Sequence, residues 1–190
     1  EALAKSIAEE IKSEKIVLSL GCGEGFVETK ITDILPHLEI HTFDFADSAG
    51  AWINNNSRIK ILNNYDDKKK YNLIYCSQLL YAISDKEMSE FLRFVKNHLQ
   101  KDGIFLTVDY SLLPSENGKA QPPLILYKSK AMLLNLIRPL YYLIFKRGEM
   151  MFWGWQRDNK ELNKLFLKNE FVLVKNYARV GQSFSLYTQR

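Results

Sequence analysis

Two hydrophobic rhythms alternate along this chain. Residues 15–20 form a short apolar run that stops at glycines, as a strand buried on both faces does. Val27, Ile31, Ile34 and Leu35 then recur at helical spacing, and Pro36 ends that pattern. Residues 38–43 alternate as a second strand ending at Asp44, and a weak helix is predicted over 47–54. Strands are predicted at 59–62 and 71–76. Ser84-Asp85-Lys86-Glu87 has the form of a capping box, and Met88, Phe91, Leu92, Val95 and Leu99 line one face of the helix behind it. Asp102-Gly103 turns the chain into a fifth strand at 104–108. Residues 111–123 read as a loop, and 124–145 as an apolar helix kinked at Pro139. A helix starts near Asp158-Asn159-Lys160-Glu161, and strands at 171–177 and 183–188 turn about Gly181.

Strand–helix alternation with right-handed crossovers predicts an α/β fold. It is a doubly wound, seven-stranded sheet, mostly parallel, with a C-terminal antiparallel hairpin strand and helices on both faces. Residues 1–190 are expected to form one domain, with 111–157 an insertion inside it.

Composition changes this picture little. Hydrophobic residues make up 46% and charged residues 25%, the balance of an ordinary globular protein. The net charge of +4 is small and scattered, so nucleic acid is not expected as a partner. Cys22 and Cys76 fit no disulfide framework and no metal spacing, which points to a reducing cytoplasm and no metal. The best membrane candidate, 131–145, holds fifteen residues with Arg138 and Pro139 inside, against the roughly 20 that a bilayer needs. The chain opens on Glu1 in a helix-like stretch, with neither Met nor a signal-peptide pattern, and a preceding N-terminal piece is compatible with that start.

The candidate chemistry lies in strand, Gly21-x-Gly23-x-Gly25, helix. Glycines admit a sharp turn and a close ligand, and a helix N-terminus adds free N–H groups. Phe26 stands where the dinucleotide fingerprint wants Gly or Ala, which disfavours a nicotinamide oxidoreductase, and no Gly-Lys-Ser/Thr follows for a P-loop.

Leu20-Gly21-Cys22-Gly23-Glu24-Gly25 resembles motif I of the class I methyltransferases, often "LGCGEG". The segment 71–81 resembles that family's fourth-strand motif, and the resemblance covers residues 15–110 well. It implies S-adenosylmethionine as cofactor, S-adenosylhomocysteine as product, and no metal. By resemblance the cofactor lies against Ser19, Leu20, Gly21, Cys22 and Gly23, with Asp44 on the ribose hydroxyls and Phe45 beside it. Asn64 or Asp66 holds the adenine, Tyr65 touches its ring, and Ser77 and Gln78 lie at the methionine end. Tyr81 faces the transferred methyl. Two positions depart from the pattern. Ser19 stands where the family often has an acid near the methionine moiety, and Asn72 replaces the usual Asp. Glu24 or an N-terminal segment is the expected compensation for Ser19.

The reaction that follows is methyl transfer to a small apolar or aromatic acceptor, the methylated atom (O, N or C) being open. Tyr81 and Asp109 are the catalytic candidates, Asp109 as base or acceptor anchor against a plain strand-end role. Residues 111–157 are read as an acceptor lid, with Tyr110, Trp153, Trp155 and Arg157 touching the acceptor. A core helix and a dimer interface are the competing readings, and a peripheral membrane contact through 124–147 is a further one. The alternatives for the whole chain are an idle cofactor-binding partner subunit, motivated by Ser19, and an RNA or protein methyltransferase. Cys22 as a thiol nucleophile is weighed against a small loop residue, and the latter is preferred. Cys76 is placed in the core. His37, His41 and His98 are expected at the surface.

Overall fold

The structure is a computed structural model that describes residues 1–44, 50–53, 56–62, 69–110, 129, 133, 137, 155 and 157–190, with Tyr110 described by its backbone alone. The predicted helix at 47–54 falls largely outside them, as do Phe45, Asn64, Tyr65, Asp66, Trp153 and nearly all of the proposed lid.

The elements run α1 (Ala2–Ile11), β1 (Ile16–Leu20), α2 (Phe26–Ile34), β2 (Glu39–Phe43), β3 (Ile59–Ile61) and β4 (Tyr71–Ser77). A 3₁₀ turn (Leu80–Ala82), α3 (Asp85–His98), β5 (Leu99–Tyr110), α4 (Asn159–Lys168), β6 (Phe171–Arg179) and β7 (Gln182–Gln189) follow. One seven-stranded sheet has the order β3-β2-β1-β4-β5-β7-β6. β1 to β5 pair in parallel, and β7 lies antiparallel between β5 and β6. The mostly parallel sheet with one reversed hairpin strand is the architecture that the pattern predicts.

Successive residues of the central strands feed two cores, as the pleat requires. Val17, Tyr75, Leu106, Val108 and Phe184 face Ile7, Ile11 and Ile31 of α1 and α2. Leu18, Ile74, Cys76, Phe105 and Tyr187 face Met88, Leu92 and Val95 of α3 and Phe166 of α4. Both predicted N-termini carry complete capping boxes, Ser84 with Glu87 and Asp158 with Glu161. The expected turn at Asp102-Gly103 is instead a bulge inside β5. Asp102 takes φ +65°, and the register against β4 shifts between Tyr71 and Leu73.

Two of the three histidines are buried, contrary to expectation. His41 is 4% exposed, its Nδ1 is 2.9 Å from the Tyr71 hydroxyl, and its Nε2 reaches Glu39. The Tyr71 ring meets it edge-on, and Glu39 and Lys69 close over its outer nitrogen. His98 is 3% exposed and stacks on Phe94, because the last turn of α3 packs down onto the sheet. His37 is exposed, as expected.

Candidate functional site

β1 delivers the chain into a loop whose three glycines all adopt left-handed backbone: Gly21 (φ +74°), Gly23 (+53°) and Gly25 (+83°). They are glycines for different reasons. A Cβ on Gly21 would come 2.8 Å from Leu79 Cδ1, and one on Gly25 2.5 Å from Ile53 Cγ1. At Gly23 it would meet nothing within 4 Å, so open space lies over that position.

The loop is braced from β2 and from the turn at 50–53. The Gly21 N–H donates to the Phe43 carbonyl (2.8 Å), and the Gly23 N–H donates to Asp44 Oδ2 (2.6 Å). The Gly50 and Trp52 N–H groups donate to the carbonyls of Gly23 and Glu24. Glu24 also accepts from the Trp52 indole (2.9 Å), so this carboxylate is held at the rim. Phe26 is 42% exposed and meets the Trp52 ring edge-on. A bulky residue is tolerated there because the position does not face the sheet.

Beside the loop opens a cleft of about 470 Å³, lined by Leu20, Gly21, Phe43, Asp44, Leu79, Ala82, Ile83 and, from α3, Glu87, Glu90, Phe91 and Phe94. That size suits a small molecule with an aromatic part. Of the predicted cofactor residues, the cleft brings together Leu20, Gly21 and Asp44. Its aromatic wall was not foreseen. Glu87, Glu90, Phe91 and Phe94 recur at helical spacing, and Phe91, expected on the core face with Met88, is half-buried and lines the cleft as well.

Ser77 and Gln78 end β4 next to this loop. Gln78 takes φ +53°, a conformation unusual for a side chain of its kind, and its N–H is held by the Val108 carbonyl at 2.7 Å. That bend aims Leu79 at Gly21. Tyr81, 43% exposed, follows in the 3₁₀ turn.

Asp109 sits one residue beyond that Val108 carbonyl. Burial pushes its carboxyl up to about 7, opposed by the nearby Arg157 charge and by a hydrogen bond from the Leu80 backbone. Arg157 itself is deeply held. It donates to the carbonyls of Leu80 (2.9 Å) and Ile83 (2.6 Å) and pairs with Asp85 (2.6 Å). Trp155 is exposed, and its backbone N–H donates to the Tyr81 carbonyl (2.6 Å). Residues 155 and 157 thus strap the 3₁₀ turn that walls the cleft, a structural duty that the sequence did not reveal.

Ser19 is 1% exposed at the base of the loop, and its hydroxyl donates to Glu28 Oε1 at 2.7 Å. Tyr75 donates to the same oxygen at 3.1 Å. Burial holds the Glu28 carboxyl above the usual range. Burial likewise pushes the Cys22 thiol up to about 11, which keeps it protonated and removes the ground for a nucleophile there. Cys76 is fully buried in the core, as expected. Among the described residues, no three His, Cys, Asp or Glu side chains are grouped to hold a metal, and no helix is long and apolar enough to cross a membrane.

A glycine loop, an acid at the end of β2 and a cleft at the carboxyl edge of a sheet with one reversed strand define a class I methyltransferase fold. The family model described as "Methyltransferase domain" matches residues 1–175, and the chain belongs to that family. Among solved structures, it is similar to the mitomycin 7-O-methyltransferase MmcR (TM-score 0.73, 14% identity, covering 98% of this chain and 53% of that one). It is similar also to human N-acetylserotonin methyltransferase in complex with SAM (0.64, 15%, 99% and 51%). A third is the pyocyanin biosynthetic protein PhzM (0.68, 13%, 96% and 54%). The chain spans about half the length of these structures. No curated protein matches it in sequence.

Proposed function

We propose that this chain transfers a methyl group from S-adenosylmethionine to a small apolar or aromatic acceptor. The observation that carries the reading is the joint brace of Asp44 and Gly23 beside an aromatic-walled cleft. A carboxylate offers two acceptor oxygens to vicinal hydroxyls, and Phe43, Phe91 and Phe94 suit a flat base. Membership of the methyltransferase family and the small-molecule methyltransferases among its structural neighbours support the same reading.

When bound, the cofactor supplies an activated methyl on a sulfonium centre, so the protein needs mainly to orient and to exclude water. Asp109 lies at the same sheet edge, and a carboxyl with a pKa of about 7 is suited to take a proton from an acceptor hydroxyl. Tyr81, exposed in the 3₁₀ turn, contacts the acceptor in this reading. Residues 111–157 form the lid in this reading, and the exposed Leu133, Ile137 and Trp155 fit an apolar acceptor. Tyr110 and Trp153 belong to the same proposal. Arg157 serves it by holding the 3₁₀ turn.

Calorimetric titration with S-adenosylmethionine, S-adenosylhomocysteine and NADH tests the cofactor. The expected result is binding of the first two and not the third, with Asp44→Ala weakening both by about tenfold or more. Binding of NADH alone, or an Asp44→Ala change under about twofold, defeats the placement. A screen of phenols and aromatic acids for methylated product then tests the acceptor class.

A further inference from the structure

Glu28 is an unusual residue to find buried. It lies in the first turn of α2, yet it is 2% exposed. Oε1 accepts from both Ser19 and Tyr75, whereas Oε2 is buried with no hydrogen-bond partner. The one charged side chain that acts on it, Asp44, is itself an acid and pushes its carboxyl further up. Among the described residues no basic side chain pairs with it. A buried carboxyl with one orphan oxygen and no cation is costly, and it calls for a partner that its own neighbours do not supply.

Its position says what that is. Ser19 is the last residue but one of β1, two before Gly21, and its hydroxyl holds the Glu28 carboxyl directly beneath the glycine loop. We propose that Glu28 is the counter-charge for the cationic amino-acid end of the cofactor, so that α2 supplies the carboxylate that the strand position Ser19 lacks. The assignment rests on the cofactor reading above. Ser19 and Tyr75 are donors, and they orient the carboxyl and stabilise its charged form once the ligand ammonium is present. Glu24, the other acid of the loop, is already engaged by Trp52 at the rim.

The test compares S-adenosylmethionine and S-adenosylhomocysteine with 5′-methylthioadenosine, which keeps the nucleoside and lacks the amino-acid end. Glu28→Gln preserves shape and removes charge. It is expected to weaken the first two ligands by about tenfold or more and to leave methylthioadenosine within about twofold. Returning the acid to the strand, in the double exchange Ser19→Asp with Glu28→Ser, is expected to restore S-adenosylmethionine affinity to within about threefold of wild type. Equal weakening of all three ligands makes Glu28 a scaffold residue and overturns the assignment. So does an unchanged affinity of Glu28→Gln for all three, or a double exchange that fails to recover. If the wild-type chain binds neither sulfur nucleotide, the cofactor reading falls and this assignment falls with it. Wild-type binding without the selective loss removes this assignment alone.

Discussion

The Arg157 side chain is 6% exposed, and its donors meet two carbonyls and the Asp85 carboxylate. Truncating it leaves Leu80 and Ile83 carbonyls without their donor and Asp85 without its cation. A hydrogen bond to a charged group contributes about 1.5–3 kcal/mol, and the orphaned partners add to the loss. Arg157→Met is therefore expected to destabilise the protein by about 2–3 kcal/mol, read from urea unfolding. A loss below about 0.5 kcal/mol would show the strap to be a surface contact of little weight. The turn that it holds carries Leu79 and Ala82 toward the cleft, so the cofactor side should loosen in the same variant.

At the scale of the element, the capping boxes were the most legible feature of the chain. Ser84 accepts from the Glu87 N–H, and Glu87 returns a bond to the Ser84 N–H at 3.0 Å. Ser84→Ala is expected to cost about 1 kcal/mol of stability by thermal or urea unfolding, since α3 alone joins the core face to the cleft's aromatic wall. An unchanged midpoint would mean that tertiary packing holds that turn without its cap. The strands, the glycine loop and the reversed hairpin were equally legible, because each is written in contiguous residues. Glu28 and the buried histidines were not. Periodicity tells which face a residue is on and leaves unsaid what the neighbouring element presents there. A polar residue in a first helical turn is assigned to solvent by default. Only the packing of α2 against β1 and β4 turns Glu28 toward Ser19 and Tyr75. The Arg157 strap is hidden for the same reason: its partners lie more than seventy residues away. The Asn64, Tyr65 and Asp66 expectations remain proposals for the adenine.

For the molecule as a whole, stability should follow pH through groups of opposite sign. Glu39, Glu87 and Glu170, whose carboxyls hydrogen bonds and cations hold below their ordinary value, contribute stability that is lost on acidification beneath 4.5. Burial lowers His41, whose contribution is likewise lost as pH falls below 6.5. Asp109 runs the other way. Its folded value, about 7, lies above the ordinary 3.8, so the folded state binds the proton more tightly and stability is lost as pH rises between the two. Asp109→Asn removes this contribution. Its stability relative to wild type is expected to grow from pH 4 to pH 7 and then level off. A difference that is flat across that window would place the Asp109 carboxyl in water.

The sheet order also sets a schedule. β6 precedes β7 in the chain but touches the rest of the sheet only through it, since β7 fills the place between β5 and β6. The same far edge is tied back to the first helix, where Tyr177 and Arg179 meet Glu10 and Glu9. On the ribosome, β1 to β5 can assemble as soon as residue 110 has emerged, whereas β6 has no neighbour to join and α1 lacks its Tyr177 and Arg179 contacts. The nascent chain therefore carries an open β5 edge through the synthesis of some seventy further residues, until 182–189 slot in and close both ends together.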